Sequence, residues 1–370
     1  MNAIRNTLPR PPHVGKPART DVRWGVSRLR PHIFDMAVGI VIFNFTQSHR
    51  IFANYHIVRS RLDSHNIPVF VLELVLNGQS PKIPGAFVVR TSSWLFHKER
   101  LCRILETKIP LHYTKVCFID ADIVFSDPSW YFKTATLLNG RNAVQPFETA
   151  IWFDSDNVRV IGRVECSGKH GPNAPFHPGF GWGFQREWYT KYGFYDYAIT
   201  GGGDDISVSA WYGVFPKRDI LCETVQYKKF FASTSATRHW ITYVPGITAY
   251  HLWHGTVENR QYRSRHEIIR GITDLHSILQ TNSDGVYELM DNRVHSDIRT
   301  YFESRNDDGL TGLILKKQDS GDNQDHAKVL RPVFEPVSEN DVRRCAFDDS
   351  RQSVPHTVDI EDVLQSQRLD

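Results

Sequence analysis

The sequence predicts an α/β protein: a central, mostly parallel twisted sheet flanked by helices. Three observations lead there. Short apolar runs alternate with amphipathic helical stretches over residues 37–125, the pattern of right-handed βαβ units. The runs are continuous rather than alternating, so both faces of each strand must be covered. One of them ends directly on a pair of carboxylates, at the edge where ligands of parallel sheets gather.

Taken in order, the first 35 residues carry Pro9, Pro11, Pro12, Pro17 and Pro31 without periodicity and read as an extended, Pro-rich N-terminal segment. Ala37-Val-Gly-Ile-Val-Ile-Phe43 is the first buried strand. Residues 49–65 are helical, Val69 to Leu74 is the second strand and Phe87 to Val89 a short third. A second amphipathic helix covers 95–108, and Val116-Cys-Phe-Ile119 is the strand that runs into Asp120-Ala-Asp122. A single domain over 36–305 accommodates these elements. From 306 onward the chain turns polar and acidic, and 306–370 is expected to be a partly mobile extension.

Composition removes several function classes. Among 370 residues, 44 Lys and Arg face 41 Asp and Glu, a net charge of +3 that gives no basic face for nucleic acid. Five scattered cysteines without a C-x-x-C pair argue against a disulfide framework or structural zinc. The longest apolar run, Met36 to Phe45, is half of a membrane span, and no signal-peptide pattern opens the chain. A cytoplasmic location and no membrane span are therefore expected.

Three constellations could carry chemistry. Asp120-Ala-Asp122 places two hard oxygen ligands above the sheet, suited to Mg²⁺ or Mn²⁺ shared with substrate phosphates; a solvated turn is the plainer alternative. Next comes Gly179-Phe-Gly-Trp-Gly183, followed by Gly201-Gly-Gly-Asp-Asp205 opening a helix. Glycines admit close approach of a ligand, and Trp182, flanked by Gly181 and Gly183, offers a ring face to a sugar. Asp204 and Asp205 read first as helix-capping carboxylates, and behind a triple glycine also as an acceptor base. Third, His251-Leu-Trp-His254 can complete a metal site, and the arginines of 259–265 can hold a pyrophosphate or form an exposed face.

The order of these motifs resembles the metal-dependent nucleotide-sugar glycosyltransferases of the GT-A fold, over residues 37–270. The run from Gly179 to Ser209 is similar to β-1,4-galactosyltransferases and to polypeptide GalNAc-transferases. The resemblance implies a nucleotide-sugar donor, usually a UDP-sugar with GDP open, a Mn²⁺ or Mg²⁺ cofactor, and a glycan or other hydroxyl acceptor. It implies that Asp122 ligates the metal, that Asp120 contacts ribose or a metal-bound water, and that His254, with His251 as alternative or additional ligand, completes the coordination. Asn44, Phe45 and Thr46 would lie along the base and ribose, with Phe96 and Lys98 near the nucleotide and its phosphates. Asp204 and Asp205 would face the acceptor, Asp205 at the position of the base in inverting enzymes. Gly-Gly-Gly-Asp stands where Trp-Gly-Gly-Glu is usual, and the retaining GalNAc-transferases have Asn there. An inverting reaction is favoured, without that one residue deciding it.

Rival readings are a non-catalytic, metal-dependent glycan-binding protein and a nucleotidyltransferase, although Asn44-Phe-Thr-Gln-Ser48 lacks the glycine-rich phosphate loop of the latter. A two-metal hydrolase fits least, for want of clustered ligands.

Overall fold

The computed structural model describes residues 35–309, apart from 173–175, 217–218, 238, 257–259 and 261–263. The Pro-rich segment before Asp35 and the chain beyond Gly309 lie outside the described residues. The α/β class holds. A seven-stranded, mostly parallel sheet runs in the order β10 (Ile241–Tyr243), β6 (Ala143–Gln145), β9 (Gly181–Gln185), β4, β1, β2 and β3. Its parallel half comprises β1 (Met36–Phe43), β2 (Val69–Leu76), β3 (Phe87–Thr91) and β4 (Lys115–Ile119). Helices α1 (His49–Ser64) and α2 (Lys98–Lys108) are the crossovers.

The apolar runs are covered on both sides as their composition requires. Met36, Val38, Ile40 and Ile42 enter one core with Tyr55 and Val58 of α1, while Ala37 enters the other with Leu101 and Leu105 of α2. Helix α2 begins three residues later than its pattern suggests. Leu95 and His97 are buried two residues apart, a spacing that no single helix face provides, and the Phe96 N–H bonds to the Ile199 carbonyl, so 95–97 is an approach loop.

The glycine-rich stretch 179–183 differs from expectation. Gly181–Gln185 is a strand, β9, inserted antiparallel between β4 and β6 (Ala143–Gln145). Side chains alternate across a strand. Trp182 and Phe184 therefore enter the core against Trp211, while Gly181 and Gly183 face Ile119 and Thr134, where a Cβ would stand only 3.0 and 2.7 Å away. These glycines serve sheet packing.

A second sheet runs in the order β5, β11, β7 (Thr149–Phe153) and β8 (Val160–Glu165). Within it β5 (Ile123–Phe125) pairs antiparallel with β11 (Thr248–His251), setting Ile123 opposite His251. The last helix described, α8 (Asn292–Ser304), packs Phe302 on Phe43, Phe45 and Phe96. The described chain continues from α8 to Gly309. Asp307 is buried beside His254, and Asp308 accepts from the Ser48 hydroxyl and the Arg50 N–H at the start of α1. These carboxylates answer specific donors, Arg305 for Asp307 and the start of α1 for Asp308. No helix among the described residues is long and apolar enough to cross a membrane.

Candidate metal centre and cleft

A cleft of about 1090 Å³ opens beyond the carboxyl ends of β1 and β4. Asp120 and Asp122 reach it because β4 ends at Ile119 and the chain turns at once into β5, the Ile123 N–H bonding back to the Asp120 carbonyl. The β5–β11 pairing then carries His251 and His254 to Asp122, and the Leu252 N–H bonds to the Asp122 carbonyl. Ligand atoms of Asp122, His251 and His254 lie within 4.8 Å of one another, and they form the sole such group among the described residues.

Asp122 Oδ2 stands 2.7 Å from His254 Nε2 and 3.5 Å from His251 Nε2. Its other oxygen, Oδ1, is buried without a hydrogen-bond partner. An orphaned carboxylate oxygen carries a desolvation cost that a cation removes, so the donor set fits a divalent metal. Two imidazoles and one carboxylate suit Mn²⁺ better than Mg²⁺, which prefers oxygen. Burial opposes ionisation of Asp122, yet His251, His254 and Arg260 together hold its carboxyl well below the usual range. Burial pushes His251 well below its ordinary value, against the pull of Asp122. Phe180 stacks on the His251 ring at 5.3 Å while held at φ 71°, a conformation costly for an aromatic residue and tolerated where a site is braced.

The opposite wall is the start of α6 (Gly203–Trp211). Gly201 and Gly202 adopt φ of 86° and 78°, which only glycine takes without strain, and a Cβ at Gly201 would meet the Arg265 guanidinium at 2.7 Å. Gly179 is needed because any side chain there would overlap Asp204 Oδ2. Both Asp204 and Asp205 line the cleft. Asp204 is committed: its Oδ1 accepts from the Asp205 N–H at 2.9 Å and its Oδ2 pairs with Lys98 at 3.6 Å. Burial opposes its ionisation, but Lys98 and His177 prevail and keep its carboxyl below the usual range.

Several expectations change. Lys98 Nζ is 2.7 Å from Asp120, so it bridges Asp120 and Asp204 instead of standing free for phosphate. Asp120, with both oxygens turned to Lys98, lies outside the ligand cluster. Val41, Ile42 and Phe43 line the cleft, not Asn44, Phe45 and Thr46. Asn44 closes a turn with both its amide ends on the Ser48 backbone, Phe45 packs on Trp94 and Phe302, and Thr46 is turned outward. Phe96 does line the cleft, under Arg265. Trp182 is 1% exposed with its indole N–H on the Pro178 carbonyl, so neither it nor Gly183 presents a surface to the cleft. Gly181 and Trp182 border only a void of about 10 Å³ beneath it.

Four lining residues were not singled out from sequence. Trp152 and His177, in edge-to-face contact at 4.9 Å, supply the aromatic wall expected of Trp182. Arg260 Nη2 lies 3.0 Å from His254 Nε2 and 3.3 Å from His251 Nε2. Glu99 is buried against Gly203, and burial pushes its carboxyl up to about 8. Only Arg260 stood in a segment already marked, as one of the arginines of 259–265.

No family model matches the chain, and no curated protein matches it in sequence. Solved structures similar to it include glycosyltransferases and nucleotidyltransferases. A Drosophila β-1,4-galactosyltransferase 7 variant in complex with manganese, UDP-Gal and xylobiose is 9% identical, over 78% of this chain and 82% of that one, with a TM-score of 0.32. Glucosyl-3-phosphoglycerate synthase from Mycobacterium tuberculosis is 12% identical over 63% and 76%, TM-score 0.31. A glucose-1-phosphate thymidylyltransferase of Bacillus anthracis is 11% identical over 42% and 74%, TM-score 0.27.

Proposed function

We propose that this chain is a metal-dependent glycosyltransferase of the GT-A type, moving a sugar from a nucleoside-diphosphate donor, UDP first, to a hydroxyl acceptor with inversion. One observation carries the reading: Asp122, His251 and His254 converge beyond the sheet's carboxyl edge, in the same cleft as Asp204 and Asp205. The alternating order of β1 to β4 and the crossover helices supports it.

Mn²⁺ held by Asp122, His251 and His254 would supply Lewis-acid neutralisation of charge developing on the leaving diphosphate. The chain's own residues do the rest. Asp205, on the first turn of α6 in the same cleft as the metal ligands, takes the proton of the acceptor hydroxyl. Trp152 and His177 present ring faces to the acceptor, and Val41, Phe43 and Phe96 exclude water from the donor end. A nucleotidyltransferase would need backbone N–H groups open after β1, whereas the Ser48 N–H there is taken by Asn44.

Calorimetric titration with UDP-hexoses and GDP-mannose, with and without Mn²⁺, tests this reading, together with hydrolysis of the bound donor. Mn²⁺-dependent binding of one donor, lost in Asp122→Ala, is the expected result. Failure of every nucleotide to bind with Mn²⁺ present refutes it. Binding without hydrolysis or transfer would favour the glycan-binding alternative.

A further inference from the structure

The contacts at His254 Nε2 do not satisfy one another. Asp122 Oδ2 lies 2.7 Å away and Arg260 Nη2 3.0 Å away. A guanidinium only donates, and an ionised carboxylate only accepts. If Nε2 carries its proton, it meets Asp122 well and opposes Arg260. If it carries a lone pair, it accepts from Arg260 and repels Asp122. His251 Nε2, 3.5 Å from Asp122 and 3.3 Å from Arg260, faces the same choice.

A cation that bonds to both imidazole nitrogens and to the carboxylate removes the conflict, because all three then act as acceptors. We propose that Arg260 is a displaceable internal cation of this centre: its guanidinium and a divalent metal compete for the same two imidazole lone pairs, so Arg260 sets the metal affinity. The inference rests on the metal reading above and adds a residue to it. The backbone is built for such an exchange. Tyr301 on α8 donates its hydroxyl to the Arg260 carbonyl at 2.7 Å, which anchors the main chain while the side chain moves. Arg260 lines the open cleft, so a displaced guanidinium has space beside the metal.

The 370-residue chain is titrated with MnCl₂ alone, without nucleotide, and its melting temperature is followed with and without saturating Mn²⁺. Two hydrogen bonds no longer lost to the metal correspond to about ten- to a hundred-fold tighter Mn²⁺ binding in Arg260→Met. The same variant melts lower than wild type without metal, where Asp122 has lost its counter-charge, and equally with it. Arg270→Met, which removes a charge at the rim of the same cleft, leaves Mn²⁺ affinity unchanged. Equal or weaker Mn²⁺ binding by folded Arg260→Met overturns the proposal, as does equal tightening by Arg270→Met, which would reduce the effect to net charge. If wild type and both variants bind no Mn²⁺, the metal reading fails and this inference with it.

Discussion

Gly203 tests how the acidic wall of the cleft is built. An alanine Cβ at this position would stand 2.7 Å from each carboxylate oxygen of Glu99, and ordinary contact begins at 3.4 Å. The carboxyl carbon of Glu99 is nearer still, so one side must give by about 1 Å, either Glu99 or the first turn of α6 that carries Asp204 and Asp205. Glu99 is 4% exposed and has little room. Such overpacking costs about 1–3 kcal/mol. Against it stands the usual gain of about 0.5–1 kcal/mol when glycine in a helix becomes alanine. Gly203→Ala should consequently lower the melting temperature by about 2–4 °C for each kcal/mol of net loss. In Glu99→Ala the obstacle is gone, and adding Gly203→Ala should stabilise. The sign of the alanine effect thus reverses between backgrounds, and a double-mutant cycle by chemical denaturation reads the reversal. Catalytic geometry reports the same shift, since displacement near 1 Å costs about 10²-fold in turnover and donor hydrolysis should fall at least tenfold. Equal effects of Gly203→Ala in both backgrounds would refute the close packing of Glu99 on α6.

Other expectations follow from the same contacts. The Glu99 carboxyl is raised from 4.5 to about 8, so the folded state binds its proton more tightly than the unfolded chain. That contribution is complete below pH 4.5 and is lost as pH rises through 8, with a slope of up to about 1.4 kcal/mol per pH unit. Glu99→Gln should flatten the fall in melting temperature between pH 5.5 and 8, and an unchanged fall would contradict the shift. Asp205→Asn should lower turnover by about 10²–10⁴ while Mn²⁺-dependent nucleotide binding survives in calorimetry; near-normal turnover removes Asp205 from the base role. Asp308→Ala deprives the start of α1 of its carboxylate cap and should cost about 1–2 kcal/mol in denaturant unfolding. No loss would mean that the segment after α8 contributes nothing to stability.

The sheet was legible because burial on both faces leaves an unmistakable composition. Continuous apolar runs marked β1 and β4, and the carboxylates after Ile119 marked the ligand edge. The Gly-Gly-Gly-Asp-Asp start of α6 was legible for a similar reason, since left-handed backbone at Gly201 and Gly202 needs glycine. β9 was not, because glycines that admit Ile119 and Thr134 look the same in sequence as glycines that admit a ligand. Trp182 and Trp152 likewise share chemistry and differ in the strand that carries them, for β9 turns Trp182 into the core and β7 presents Trp152 to the cleft.

Length, charge and motif order, read alone, determined an α/β chain with a carboxylate pair at its ligand edge and two histidines in reserve. The motif resemblance already implied Asp122 as the carboxylate beside the histidines, and three-dimensional packing decided how they meet. The β5–β11 register brings Asp122 to His251 and His254, while Lys98 draws Asp120 away toward Asp204. It also decided that Arg260, Asp307 and Asp308 belong to the site's surroundings. The physical reason is range. Apolar periodicity and glycine backbone requirements act between near neighbours in the chain, whereas pairings such as Asp122 with His254, or Ser48 with Asp308, join residues far apart in it.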